Sequence, residues 1–88
     1  MQVKATFGLY NDCTVTSPWS RVRFKILWVA DTSSVTLLNK VAEAQGDAAP
    51  SEAVSLELPG QSGRLVLRTE REGGNCSAGA WWSDLDLR

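Results

Sequence analysis

Ser20-Arg21-Val22-Arg23-Phe24-Lys25-Ile26-Leu27-Trp28-Val29 is the longest unbroken alternation in a chain of 88 residues. Val22, Phe24, Ile26 and Trp28 interleave with Arg21, Arg23, Lys25 and Leu27, a period of two. Successive side chains on a strand point to opposite faces, so the stretch predicts a strand with one apolar and one largely cationic face. It reads as the central strand of an antiparallel β structure, with Trp28 in the core.

The flanking segments repeat the pattern. Val3, Ala5, Phe7 and Leu9 form the apolar face of a preceding strand, and Tyr10 to Pro18 is a loop. Asp31 to Ser34 is a turn, followed by a short strand over Ser34–Asn39. Lys40–Glu52 lacks strand character and ends a weak helical turn at Gly46-Asp-Ala-Ala-Pro50, so it is expected to be a loop. Ala53–Leu58 alternates again, with Val54, Leu56 and Leu58 on one face, and Pro59–Gly63 is a turn. Arg64–Glu70 puts Leu65 and Leu67 inward and Arg64 and Arg68 outward. A glycine-rich loop over Glu72–Gly79 leads to a last strand, Ala80–Leu87. About six strands divided by Gly, Pro, Ser and Asp turns predict one all-β domain spanning 1–88, a small antiparallel β-sandwich of jelly-roll type.

Composition narrows the function classes. A net charge of −1 exerts no long-range pull on nucleic acid or an anionic membrane. The longest apolar run, Ile26–Ala30, is far too short to span a bilayer. Met1–Phe7 does not read as a signal peptide, so the chain is expected to be either cytoplasmic or a domain or mature product without its targeting segment. Histidine is absent, which removes Ser-His-Asp and Cys-His chemistry and the commonest transition-metal ligand. No catalytic motif is present, and nothing sets two carboxylates at the separation glycoside hydrolysis needs. The expectation is a protein that is not an enzyme.

Cys13 and Cys76 are the only cysteines, and each lies in a polar, turn-like setting. Two cysteines in two loops point to a pair rather than to buried thiols. A bridge closing about 60 residues stabilises by roughly 4 kcal/mol in the chain-entropy model and implies an oxidising, extracellular or cell-surface location.

Trp19, Trp28, Trp81 and Trp82 are four of seven aromatic residues. Counting back from Leu85 and Leu87 puts Trp81 on the apolar face and Trp82 outward with Asp84 and Asp86. Trp19 sits in the loop entering the central strand. An indole exposed beside carboxylates and amides is the make-up of a sugar platform, since pyranose C–H groups stack on the ring while polar side chains bind hydroxyls. The competing reading is that both outer tryptophans pack under loops or in a subunit interface. The row Arg21, Arg23, Lys25 is the composition of a solvated strand face, and no nucleic-acid partner is expected. No cofactor is expected. Asp12, Asp31 and Asp84, with Asn75, are oxygen donors of the kind Ca²⁺ takes, without EF-hand spacing. Asn75-Cys76-Ser77 also matches the N-glycosylation pattern.

The runs Ala5–Asp12, Val22–Ile26, Val54–Leu58, Arg64–Leu67 and Trp82–Leu87 together resemble the NPCBM family, carbohydrate-binding modules of galactose-binding-like fold attached to glycoside hydrolases and other bacterial surface enzymes. Gly8, Asp12, Val22, Phe24, Ile26, Leu65, Leu67, Trp82, Asp84 and Leu87 take the places of the family's glycine and acidic residues, V-x-F-x-V strand, L-x-L strand and closing W-x-D-x-x-L segment. Two departures stand out: Leu27–Asp31 replaces the Asp-Gly after the V-x-F-x-V strand, and Cys76–Ala80 replaces the acidic and histidine residues before the final Trp. The chain is also shorter, as if truncated at its N-terminus, which would leave unpaired sheet edges. The resemblance implies a glycan or polysaccharide ligand, with Trp82 and Trp19 stacking and Asp84, Asp12, Asn75 and Arg23 as polar contacts. The alternative is a structural or assembly domain that forms a homodimer, or docks to a larger protein, through strand edges and outer tryptophans.

Overall fold

The computed structural model describes all residues, Met1–Arg88. Its elements are β1 (Gln2–Asn11), β2 (Trp19–Val29), β3 (Ser34–Gln45), β4 (Ser51–Glu57), β5 (Arg64–Gly74) and β6 (Ala78–Leu87). They form two three-stranded antiparallel sheets, ordered β4-β1-β6 and β3-β2-β5, packed as a small β-sandwich. The alternating stretch is indeed a central strand, and its counterpart in the other sheet is β1. No helix in the chain is long and apolar enough to cross a membrane.

The core lies between these two central strands. Ala5, Phe7 and Leu9 of β1 meet Val22, Phe24 and Ile26 of β2, all buried, with Leu38 and Ala44 of β3 beside them, and Val3 is buried as well. Phe7, Phe24 and Trp82 make a three-ring cluster across the sheets, with centroids 4.7 Å (Phe7–Phe24), 5.6 Å (Phe7–Trp82) and 5.5 Å (Phe24–Trp82) apart. Such pairs add roughly 0.5–1.5 kcal/mol each beyond their burial.

Three sequence expectations need correction. Lys40–Gln45 is strand, not loop. Paired along nearly the whole of β2, β3 keeps its register from Leu38 to Gln45, with Ala44 buried in the core and Ala42 packed against it. Cross-strand pairing here overrides alanine's weak strand preference. The glycine-rich loop shrinks to Asn75–Ser77, because β5 runs on to Gly74 and β6 starts at Ala78. Trp28 is half-buried at the end of the core rather than within it. Its indole N–H donates to the Gln61 carbonyl at 3.2 Å, under the loop from Leu58 to Gly63.

Candidate functional site

The orientation of the tryptophan pair is the reverse of the sequence expectation. Phe7 pairs directly with Trp82 and Gly8 with Trp81, so Trp82 shares the inward face of Phe7 while Trp81 points out. The cause is a β-bulge. Lys4 pairs with Asp86 but Thr6 with Ser83, leaving Asp84 and Leu85 together opposite Ala5. Asp84 takes a left-handed backbone, φ 54°, which Asp tolerates better than most residues. An extra residue flips every side chain beyond it to the other face, and counting by twos from Leu87 misses the flip. Trp82 therefore faces inward, partly buried against the core, and presents no outward platform.

What the outer face of the β4-β1-β6 sheet presents instead is Trp81 and Tyr10. In the antiparallel β1–β6 pair, Trp81 opposes Gly8 and Tyr10 opposes Gly79. Each ring lies down over the opposing glycine: a methyl group on Gly8 would overlap the Trp81 indole, and one on Gly79 would overlap the Tyr10 phenol. The missing side chains are what let the rings lie flat. Tyr10 is 45% exposed and Trp81 half-buried, so the two rings cover one another's strand and keep a side toward solvent. From Trp81 the same face continues into a shallow groove of about 400 Å³ lined by Lys4, Thr6, Ala53, Ser55, Asp84 and Asp86. At about 3.4 Å per residue, the path from Tyr10 to Lys4 is roughly 20 Å long. Asp84, expected beside an exposed tryptophan, is on this face with the other tryptophan of the pair.

The remaining candidates lie elsewhere. Trp19 begins β2 on the outer face of the second sheet, over Gly73, with the Arg21 guanidinium 5.5 Å from its ring. A cleft of about 620 Å³ opens there between Pro18, Trp19, Arg21, Glu43, Gln45 and Gly46. Asn75 serves the chain itself: its Oδ1 accepts from the Trp19 N–H at 2.9 Å and its Nδ2 donates to the Ser17 carbonyl at 3.3 Å. Arg23 is tied to Glu72 and donates to Asn39 Oδ1 at 2.6 Å. Asp12 is exposed beside the disulfide, where its N–H donates to the Ser77 carbonyl at 2.8 Å. Asp12, Asn75 and Trp19 thus share one end of the molecule, while Asp31 is at the β2–β3 turn and Asp84 midway along the other sheet. The carboxylates expected to gather round Ca²⁺ are dispersed, and no group of three His, Cys, Asp or Glu side chains is placed to hold a metal ion.

The cationic row on β2 is neutralised side chain by side chain. Arg21 meets Glu43, Arg23 meets Glu72, and Lys25 meets Glu70 at 3.1 Å. The hydrogen bond from Arg21, then that from Gln45, hold the Glu43 carboxyl below its ordinary value, against a small opposing effect of burial. Cys13 and Cys76 form a disulfide with Cα atoms 5.7 Å apart, joining the loop after β1 to the β5–β6 turn.

Sequence reasoning missed Trp81 and Tyr10 as a pair, although a signal was there. Gly8-Leu9-Tyr10 and Gly79-Ala80-Trp81 each place an aromatic two residues after a glycine, and antiparallel pairing sets each aromatic on the other's glycine. It missed Asn11 too. Asn11 Nδ2 donates to the carbonyls of Ala44 at 3.2 Å and Gly46 at 3.1 Å, and its Oδ1 accepts from the fully buried Ser20 hydroxyl at 2.7 Å, clasping the two sheets together. No protein-family model, curated protein or solved structure matches the chain.

Proposed function

We propose that this protein is a non-catalytic carbohydrate-binding module whose platform is the outer face of the β4-β1-β6 sheet. The observation that carries the reading is the pair of aromatic rings, Trp81 laid over Gly8 and Tyr10 over Gly79, with polar side chains continuing along the same face. A pyranose offers a flat apolar C–H surface and a rim of hydroxyls. The rings supply the stacking surface, and Lys4, Thr6, Ser55, Asp84 and Asp86 supply donors and acceptors along the groove. The rings' support by the sheet keeps them in place without ligand, which lowers the ordering cost of binding. The resemblance to NPCBM modules supports the same class of ligand, and the Cys13–Cys76 bridge supports an extracellular or cell-surface setting.

The test is a titration of tryptophan fluorescence with soluble glycans and a sedimentation assay with insoluble polysaccharides. Wild type is compared with W81A, Y10A, W19A and W82A. W81A and Y10A should each lose at least tenfold in affinity with little change in thermal melt. W19A should bind normally, and W82A should lose about 3–5 kcal/mol of stability as a core truncation. Glycan binding that survives W81A and Y10A but not W19A would move the platform to the Trp19 cleft. Binding to no glycan at all would remove the carbohydrate reading.

A further inference from the structure

Each sheet has two free edges, and the four differ in how well they resist a further strand. β4 is seven residues long. β6 is interrupted at Asp84 and Leu85, and β3 by an extra residue at Leu37 opposite the Ile26–Leu27 step. β5 is regular from Arg64 to Arg71, its own extra residue, Glu72, lying beyond. Bulges and short strands blunt an edge, and a long regular one is a template for pairing.

The side chains of β5 decide what can pair with it. Arg64, Val66, Arg68 and Glu70 share the outer face, and Leu65, Leu67 and Thr69 the inner one. An antiparallel pair of identical strands keeps each face with its like, so complementary charges must lie on one face of the strand. On β3, Lys40 and Glu43 fall on opposite faces. β4 and β6 carry no cation within the strand. On β5, Arg64 and Glu70 share one face and meet the requirement, with Glu70 also receiving the Lys25 ammonium of its own chain at 3.1 Å. With Leu67 on the two-fold axis, Arg64 faces Glu70 of the second copy on both sides, Leu67 faces itself on the inner face, and the paired stretch ends before the bulge. Shifting the axis to Arg68 would oppose two like charges. Arg64 has no carboxylate partner within its own chain.

We propose that β5 pairs with β5 of a second copy, joining two sandwiches through one continuous six-stranded sheet, β3-β2-β5-β5-β2-β3. Cross-strand opposite charges and the self-facing leucine supply the attraction, and the half-buried Leu65 and Leu67 lose further surface. The axis is normal to the sheet, so the two β4-β1-β6 outer faces look the same way. A bivalent glycan surface is the consequence if the proposed function holds, but the dimer does not depend on it.

The experiment is sedimentation equilibrium of the full chain over a wide concentration range, without glycan. Wild type should rise from 9.6 kDa toward twice that mass. R64E, a change at an exposed residue with no partner in its own chain, should weaken association at least tenfold while leaving the dilute-protein melt unchanged. R64E/E70R, which restores opposite charges across the axis, should regain association, with E70R alone as the control for the lost Lys25–Glu70 contact. Wild type that stays monomeric throughout, or R64E that associates as tightly as wild type, overturns the proposal. Neither result bears on sugar binding, which is read separately by fluorescence.

Discussion

Asn11 shows how one side chain can join two sheets. Its amide spans from the end of β1 to the Ala44 and Gly46 carbonyls, while its oxygen holds the Ser20 hydroxyl, which has no exposure to water. Replacing Asn11 with Ala strands that buried hydroxyl. A buried polar group left without a partner costs about 1–3 kcal/mol, so N11A should lose at least that in urea or thermal unfolding. The double variant N11A/S20A should recover part of the loss, because the stranded hydroxyl is gone. Gly8 and Gly79 act at the same scale in the opposite way: what they contribute is the absence of a side chain under a ring.

At the scale of the element, the outer face of β2 is a row of ion pairs rather than a cationic stripe. Exposed pairs of this kind are each worth about 0–1 kcal/mol, so the row sets surface character more than stability. Its one titration signature is Glu43, whose carboxyl sits below its ordinary value because Arg21 and Gln45 donate to it. A depressed folded value means that the stabilisation is fully present above the carboxyl's unfolded value and disappears as pH falls through the folded one. Wild type should therefore lose stability relative to E43Q as pH drops through the acidic carboxylate range, with the gap between the two largest near neutral pH. A constant gap from neutral to strongly acidic pH would show that the Arg21–Glu43 contact makes no difference to folding. The β6 bulge belongs to this scale too, since its two residues decide which tryptophan of the pair faces the core and which faces out.

At the scale of the whole molecule, the sandwich is long and thin, with Cα extents of 48 × 23 × 13 Å, and only 13 residues are buried. A core this small leaves the disulfide a large share of the stability. Closing the 63-residue separation between Cys13 and Cys76 contributes roughly 4 kcal/mol in the chain-entropy model. Reduction, or C13S/C76S, should lower the unfolding free energy by that order, read by urea or thermal unfolding. It should also loosen the end of the molecule where Asn75 braces Trp19. Proteolysis within the loop before β2 is the readout for that loosening, and equal resistance of reduced and oxidised protein would show that the brace stands without the bridge.

The strands with clean alternation were legible residue by residue. β1, β2, β4 and the first half of β5 announce their inward faces through Val3, Phe7, Val22, Phe24, Leu56 and Leu67, because a period of two needs no information beyond the strand itself. The cysteine pair was legible for a similar reason, as two polar loop positions with no other partner. The strand character of Lys40–Gln45 was not, because alanines of weak strand preference become strand here through pairing with β2. Nor was the exchange of Trp81 and Trp82, because a bulge depends on how many residues of β6 are matched to β1, a property of two strands together. The sequence by itself determined an all-β sandwich with Val22, Phe24 and Ile26 at its centre. Only tertiary pairing decided which rings face outward, because facing is a relation between strands and a single strand carries no record of its partner's register.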